Sequence, residues 1–284
     1  MKKVAIVPNT KKDTDLFLTK KIIALLVSYG VEVFISDAFI PYDLTGVNFV
    51  GKNLLFSDVQ LIITIGGDGT ILSIADEASM ANVPVLGINL GRMGFMAELE
   101  PDEIDLLKNV ICGRFSLEKR MMLDVNVLHE GKIVSSHKAL NDIVVSNGVV
   151  SKMAELELFC SDTYVSKFHS DGVIISTPSG STAYSLSAGG AIIDPTIDCI
   201  LSTPVCPHSF YNSRSIVFSP KCVLKIKNVQ KEENTYLTVD GRKNEKLYYL
   251  DEVDVRSSIN SISLVKIKNK GFYDIVYNKL SERK

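Results

Sequence analysis

A change of hydrophobic period near residue 118 constrains the fold of this chain more than any other feature. Before it, short apolar runs alternate with stretches of helical spacing. "KVAIVP" (3–8) is followed by "DLFLTKKIIALLVSYG" (15–30), in which Leu16, Ile22, Ile23, Leu26 and Val27 recur with helical period up to the stop residue Gly30; "VEVFIS" (31–36) follows. The pattern then repeats as "VQLIITI" (59–65), "ILSIADEAS" (71–79) and "VPVLGIN" (83–89). That is βαβ grammar, and it predicts a parallel sheet covered by helices. A last helix is expected over "PDEIDLLKNVICG" (101–113), opened by Pro101 and closed by Gly113. Beyond residue 118 the apolar residues alternate with period two in "MLDVNVLHE", "KIVSSH", "AELELFC" and "VLKIKN", with hairpin punctuation at "EGK", "SDT" and "DGR". The expectation is an α/β amino-terminal domain with a Rossmann-like parallel sheet (1–118), then a mainly β carboxy-terminal domain (119–265) with one inserted helix near "STAYSLSAGG". The amphipathic tail (266–284) would return to the first domain.

With 284 residues, 46% apolar and 23% charged, the chain has the balance of a globular protein that can bury a large core. A net charge of -2 with no basic stripe argues against nucleic acid as a partner. Five cysteines without a CxxC pair indicate neither a disulfide framework nor a zinc knuckle, and they read as reduced, mostly buried thiols. His129, His137, His169 and His208 form no ligand set, so no metal site built from protein side chains is expected. "MKKVAIVPNT" is too short for a signal sequence and no run approaches a membrane span, so a cytoplasmic location without membrane association is expected.

"LIITIGGDGTILSIA" (61–75) carries the first candidate site. Gly66, Gly67 and Gly69 lack a β-carbon, so they are free to take positive φ and to let a polyanion approach the backbone. Amides beside a helix start favour phosphate oxygens, and the carboxyl end of a parallel strand is where open α/β sheets bind ligands. Two readings stay open here. The glycines make a tight turn while Asp68 or Thr70 caps a helix beginning near Ile71; or Asp68 aligns or deprotonates a hydroxyl that attacks a phosphoryl group cradled by the turn. The segment matches neither the GxxxxGK[ST] loop nor GxGxxG.

Three further segments carry the rest. In "LGINLGRMGFMAEL" (86–99) Phe95 is either a core plug or an apolar wall beside a flat ligand. In "ALNDIVVSN" (139–147) Asn141 and Asp142 serve a turn, or bond ribose hydroxyls or a base edge. In "SDGVIISTPSGSTAYSLSAGGAII" (170–193) Asp171 precedes a buried strand, and Ser179, Ser181 and Thr182 crowd a turn leading to a short helix with Tyr184 and Ser187. Hydroxyls often only cap helices. Alternatively, together with Pro178, Gly180 and the small Ala188-Gly189-Gly190 face they would form a shallow slot for an aromatic base and its sugar.

GGDGT (66–70), "GINLGRMGF" (87–95), "LND" (140–142), "DGVIISTPSGSTAYSLSAGG" (171–190) and "TPVCPHS" (203–209) resemble, in order and spacing, the motifs of bacterial NAD kinases. The resemblance covers nearly the whole chain, and its long segment from Asp171 to Gly190 is the specific part. It implies an ATP-dependent transfer of phosphate to the 2'-hydroxyl of the adenosine ribose of NAD, giving NADP. It also implies a divalent cation, usually magnesium, held chiefly by nucleotide phosphates, and a homotetramer or homodimer. By position, Asp68 would be the proton acceptor. Gly66, Gly67, Gly69 and Thr70 would form the phosphate turn. Substrate contacts would come from Gly69, Phe95, Asn141, Asp142, His169, Asp171, Ser179, Thr182, Ala183, Tyr184, Ser187 and Cys206. ATP is the expected donor, with polyphosphate an alternative. Asp142 stands where the family usually has Glu, His169-Ser170 where Arg-Gly is common, Ser185 where Asn is usual, and Arg92 where His is common. Two competing classes are a lipid kinase with the same turn, for which the sequence offers neither a polybasic cluster nor a marked amphipathic surface helix, and a dinucleotide sensor without turnover.

Overall fold

The computed structural model describes residues 1–91, 94–148, 153–208, 214–231, 234–268 and 271–281; Arg92, Ser209 and the last three residues of the tail lie outside them. The chain divides into two compact units, residues 1–119 with 262–284, and residues 120–261.

The first unit runs β1 (Lys3–Pro8), α1 (Phe17–Ser28), β2 (Glu32–Ser36), β3 (Val47–Val50), β4 (Leu61–Gly66), α2 (Asp68–Leu72), α3 (Ala75–Ala81), β5 (Val85–Asn89) and α4 (Leu107–Ile111). Its strands pair in parallel in the order β3-β2-β1-β4-β5. β4 and β5 are buried at every position, which is why they read as unbroken apolar runs rather than alternating ones. α1 sinks Leu18, Ile22, Ile23 and Leu26 onto this sheet, and the chain turns away through Gly30 at φ +74°. The Asp13 carboxylate accepts the amides of Leu18 and Thr19, each at 2.9 Å, and the Thr19 hydroxyl at 2.6 Å. A buried acid thereby satisfies donors of the first turn of α1.

The helix expected to begin near Ile71 begins three residues earlier and is broken. Gly67 precedes α2 with no side-chain cap, and after Leu72 the chain leaves helical geometry at Ile74 before α3 resumes. The Ser73 hydroxyl donates to the Thr70 carbonyl at 2.6 Å, a local back-bond that competes with the helix ladder.

The second unit contains most of β6 (Ser116–His129), then β7 (Lys132–Ala139), β8 (Asp142–Asn147), β9 (Ala154–Cys160), β10 (Thr163–Ser170), β11 (Gly172–Ser176), α5 (Tyr184–Ser187), β12 (Ile200–Val205), β13 (Ile216–Phe218), β14 (Leu224–Asn228), β15 (Thr235–Val239), β16 (Lys243–Leu247) and most of β17 (Glu252–Lys266). One sheet has the order β13-β12-β11-β8-β15-β16, antiparallel throughout. A second layer holds β10-β9-β14 and the first residues of β17, with β6 and β7 attached. Alternate residues of both layers meet in one core, among them Leu123 and Val125, Ile143 and Val145, Leu156 and Leu158, and Leu237 and Val239. All three hairpin signals fold as turns with two successive positive φ angles: Glu130 and Gly131, Ser161 and Asp162, Asp240 and Gly241.

Past the second unit, the last residues of β17 rejoin the first, where Leu264 pairs in parallel with Val85 of β5, and α6 (Phe272–Ser281) follows. The Glu98 carboxylate, 7% exposed, accepts the amides of Ile267 at 2.8 Å and Lys268 at 2.7 Å and the Lys266 ammonium at 3.1 Å. All five cysteines are free thiols, but only Cys199 is buried; Cys112 and Cys206 are exposed, because they lie in connecting segments rather than on core faces.

Candidate functional site

The first unit's strand order reverses between β1 and β4, so the segments leaving the carboxyl ends of these two strands flank a topological switch point. From β4 come Gly66, Gly67 and Asp68; from β1 come Asn9 and Lys12. Their backbones are joined where the Asn9 amide donates to the Ile65 carbonyl at 2.8 Å, and the Asn9 side-chain amide donates to the Thr70 hydroxyl at 3.3 Å.

The glycines of this turn do not use positive φ. Gly67 is extended at φ -175°, a conformation open to any residue, and neither Gly66 nor Gly69 lies at positive φ. Space is what they provide. A β-carbon on Gly66 would stand 2.2 Å from the Thr70 hydroxyl oxygen, and one on Gly67 would stand 2.8 Å from the Lys12 ammonium. Thr70 is buried against Gly66, while Lys12 lies over Gly67 and near Gly91. Sequence reasoning missed Lys12. The only available signal was its place four residues after a strand end, and pairing of β1 with β4 is what gives that place meaning.

Asp68 is neither a helix cap nor a lone carboxylate. One of its oxygens accepts the Phe95 amide at 2.7 Å, and the other accepts those of Met96 at 3.2 Å and Ala97 at 3.3 Å. Gly94 permits this nest: a β-carbon there would fall 2.1 Å from Asp68 Oδ1. The half-buried Phe95 ring is 6.2 Å from that of Phe272 in α6, with the Lys279 ammonium 3.9 Å from its centre. Asn89, buried at the end of β5, donates to Glu100 and to the Gly91 carbonyl, and its own Oδ1 has no partner among the described residues.

In the second unit, the segments 140–142 and 177–180 are laced together. The Thr177 amide donates to the Asn141 carbonyl at 2.9 Å, its hydroxyl donates to the Leu140 carbonyl at 2.6 Å, and the Gly180 amide donates back to that hydroxyl at 3.0 Å. Gly180 sits so close that a β-carbon would be 2.0 Å from the Asn141 carbonyl oxygen. Two of the crowded hydroxyls serve the backbone: Ser181 donates to Pro178 at 2.6 Å and Thr182 to Ser179 at 3.0 Å. Ser179 accepts from the Arg120 guanidinium at 3.1 Å. Ser185 is fully buried and bonded to Thr203 at 2.9 Å, so it packs rather than faces a slot.

Tyr184, by contrast, is 47% exposed, and Ser187 and Asp171 are exposed. Burial pushes the Tyr184 phenol up, helped by the nearby Cys206, Asp171 and Asp142, so these four residues share one neighbourhood. Ala183 links the two short helical turns in a non-helical conformation, which sets the direction of Tyr184. His169 is exposed on β10, where its carbonyl accepts the His208 amide at 3.0 Å. Asn141 is 9% exposed and its Oδ1 has no partner among the described residues. An unmatched buried acceptor costs about 1–3 kcal/mol, which a ligand donor would recover. Asp142 is 5% exposed, and its carboxyl is raised to about 7, first by burial and then by the Asp240 carboxylate; the Tyr184 amide acts in the opposite sense. Asp240, which sequence reasoning read only as hairpin punctuation, accepts the amides of Leu140, Asn141 and Asp142.

Residues 48–115 match the family model of the ATP-NAD kinase N-terminal domain, and residues 140–267 that of the ATP-NAD kinase C-terminal domain. The chain is 40% identical over 287 residues to the NAD kinase of Caldanaerobacter subterraneus subsp. tengcongensis, covering all of both proteins. It is 39% identical over 286 residues to that of Thermoanaerobacter sp. (strain X514), again over both full lengths. Among solved structures, yeast NADH kinase complexed with NADH superposes with a TM-score of 0.87 at 26% identity, covering 100% of this chain and 88% of that one. An NAD kinase from Archaeoglobus fulgidus in complex with ATP superposes with a TM-score of 0.75 at 24% identity, covering 99% of this chain and all of that one, a likeness of fold.

Proposed function

The chain belongs to the ATP-NAD kinase family, and from that premise we propose that Asp68 is the group that takes the proton of the reacting hydroxyl. The enzyme transfers a phosphoryl group from ATP to NAD and yields NADP. The observation that supports the role of Asp68 is its nest. Three amides and a glycine gap fix one carboxylate at the carboxyl end of a switch-point strand, which suits a reaction whose catalysis is mainly alignment and charge stabilisation. The adenosine 2'-hydroxyl donates to Asp68 and loses its proton there as its oxygen bonds the terminal phosphorus. The bond from phosphorus to the ADP oxygen breaks, and ADP leaves.

Gly66 and Gly67 keep the turn bare enough for phosphate oxygens, and Lys12 supplies a cation directly over it. Asn141, Asp142, Asp171, Tyr184 and Cys206 hold base and ribose, Tyr184 as a stacking face and the unmatched Asn141 Oδ1 as an acceptor. His169, Ser187, Thr182, Ala183 and Ser179 line or support that binding, while Gly69 and Phe95 flank Asp68 in the first unit. Magnesium suits this chemistry as a neutraliser of phosphate charge. In this reading the ion is carried by the nucleotide phosphates; among the described residues no three His, Cys, Asp or Glu side chains converge on a metal position.

Incubating the purified protein with NAD, ATP and magnesium yields NADP in an enzymatic cycling assay, and Asp68→Asn lowers the rate by roughly 10²- to 10⁴-fold. An Asp68→Asn variant as fast as the parent would remove the base. Replacing ATP by polyphosphate in the same assay decides the donor range. We also place the protein in the cytoplasm as a homo-oligomer; among the described residues no helix is long and apolar enough to cross a membrane, and light scattering gives the subunit number.

A further inference from the structure

Asp142 and Asp240 are tied to each other twice through the backbone. The Asp240 amide donates to the Asp142 carbonyl at 2.9 Å, and the Asp142 amide donates to Asp240 Oδ1 at 3.1 Å. Asp240 also takes the Leu140 amide at 2.9 Å on its other oxygen and the Asn141 amide at 2.8 Å. Burial pushes the Asp240 carboxyl up as well, but three amide donors and Arg242 work against that and favour its charged form. Asp142 has far less support for a charge: it is almost fully buried, and the Tyr184 amide is the group that favours its ionised form. Two adjacent buried carboxyls cannot both ionise cheaply, so one proton stays on the pair, on the less supported member.

We propose that Asp240 is a positioning residue for the dinucleotide site: it gathers the amides of residues 140–142 and makes Asp142 bind as a neutral acid whose O–H donates to an acceptor on NAD, a ring nitrogen or a ribose oxygen. The proposal rests on the reading of Asp142 as a substrate contact. Held beside Asp240, the neutral Asp142 side chain acts as a donor, where an ionised carboxylate would only accept.

The groups facing this pair are Asp240 and Arg242 from the β15–β16 turn, Tyr184 from α5, and Asp171 and Cys206 near Tyr184. The Tyr184 phenol is pushed upward, so it does not titrate in the range where Asp142 does. NAD affinity should therefore be flat below the Asp142 value of about 7 and weaken above it. The expected loss is about tenfold per pH unit, because only the protonated form binds.

Calorimetric titration of NAD into the intact enzyme between pH 5.5 and 9 tests this, alongside kcat and KM over the same range. Asp240→Asn keeps an amide-accepting oxygen and tolerates the positive φ of 48° at this position, but removes the charge. The break in affinity should move to lower pH, raising KM for NAD at neutral pH much more than it lowers kcat. Asp142→Asn donates an N–H at every pH, so the break should vanish. A purely structural role for Asp240 would weaken binding equally at all pH values and leave the break in place, which overturns the proposal; so does an Asp142→Asn variant that keeps the break. NAD binding that is flat with pH while NADP is still formed sinks this inference alone. Absence of NAD binding at every pH sinks the reading of the site and this inference with it.

Discussion

Asp68 shows why a chain places an acid in a turn of glycines. A carboxylate on a mobile loop would lose the geometry that phosphoryl transfer depends on; this one is held by the amides of residues 95–97, twenty-seven to twenty-nine positions away. In the role proposed for it, the side chain would meet the reacting hydroxyl already oriented. Gly94→Ala should reveal this without touching the acid. Its methyl would enter the space of Asp68 Oδ1, and a displacement of about 1 Å costs on the order of 10²-fold in kcat, while the circular dichroism spectrum stays that of the parent. Lys12→Met should act differently. Removing one cation from a phosphate contact weakens ATP by roughly ten- to a hundredfold, read as a rise in KM for ATP with KM for NAD little changed. The glycines and the acid are legible in the bare sequence as a cluster. What was read wrongly was the physical use of the glycines, because a β-carbon clash depends on which side chain lies opposite, and local sequence does not state that.

At the scale of elements, boundaries followed residue chemistry wherever the decisive partner was close in the chain. Gly30 and Gly113 end their helices at positive φ, and each hairpin signal became a tight turn. The break between α2 and α3 was not legible, because nothing in "ILSIADEAS" interrupts the helical period; the Ser73 back-bond and the geometry of Ile74 decide it. The start of α1 was also hidden. Its amides are satisfied by Asp13, five and six residues upstream, beyond the usual capping interval. Asp13→Ala should cost about 1–2 kcal/mol, since it removes a cap and leaves buried donors unmatched. Thermal denaturation checks this, and a melting temperature equal to the parent's would show that water replaces the acid.

At the scale of the whole molecule, residues 262–284 belong with residues 1–119 although the entire β-rich unit separates them in sequence. Glu98 is the main polar tie, binding two amides and an ammonium of the returning chain, and Lys268 adds an ion pair to Glu103 at 2.7 Å. Glu98→Ala leaves those donors unmatched and should destabilise the first unit by about 2–4 kcal/mol. Limited proteolysis should then cut near residues 267–271 much faster than in the parent; equal cutting rates would assign the tether to apolar packing instead. The sequence by itself determined the two kinds of unit, because the spacing of apolar residues is local and dictates helix or strand directly. It also singled out Asp68, Asn141 and Tyr184 as candidates, each with a structural reading left open beside the chemical one. Only the tertiary structure decided that Lys12 stands over the glycine turn, that Gly94 makes room for the Asp68 carboxylate, and that Asp240 gathers the amides of residues 140–142 from a hundred positions away. Each of those depends on which strands become neighbours, and pairing partners are set by packing free energy over the whole chain rather than by any short stretch of it.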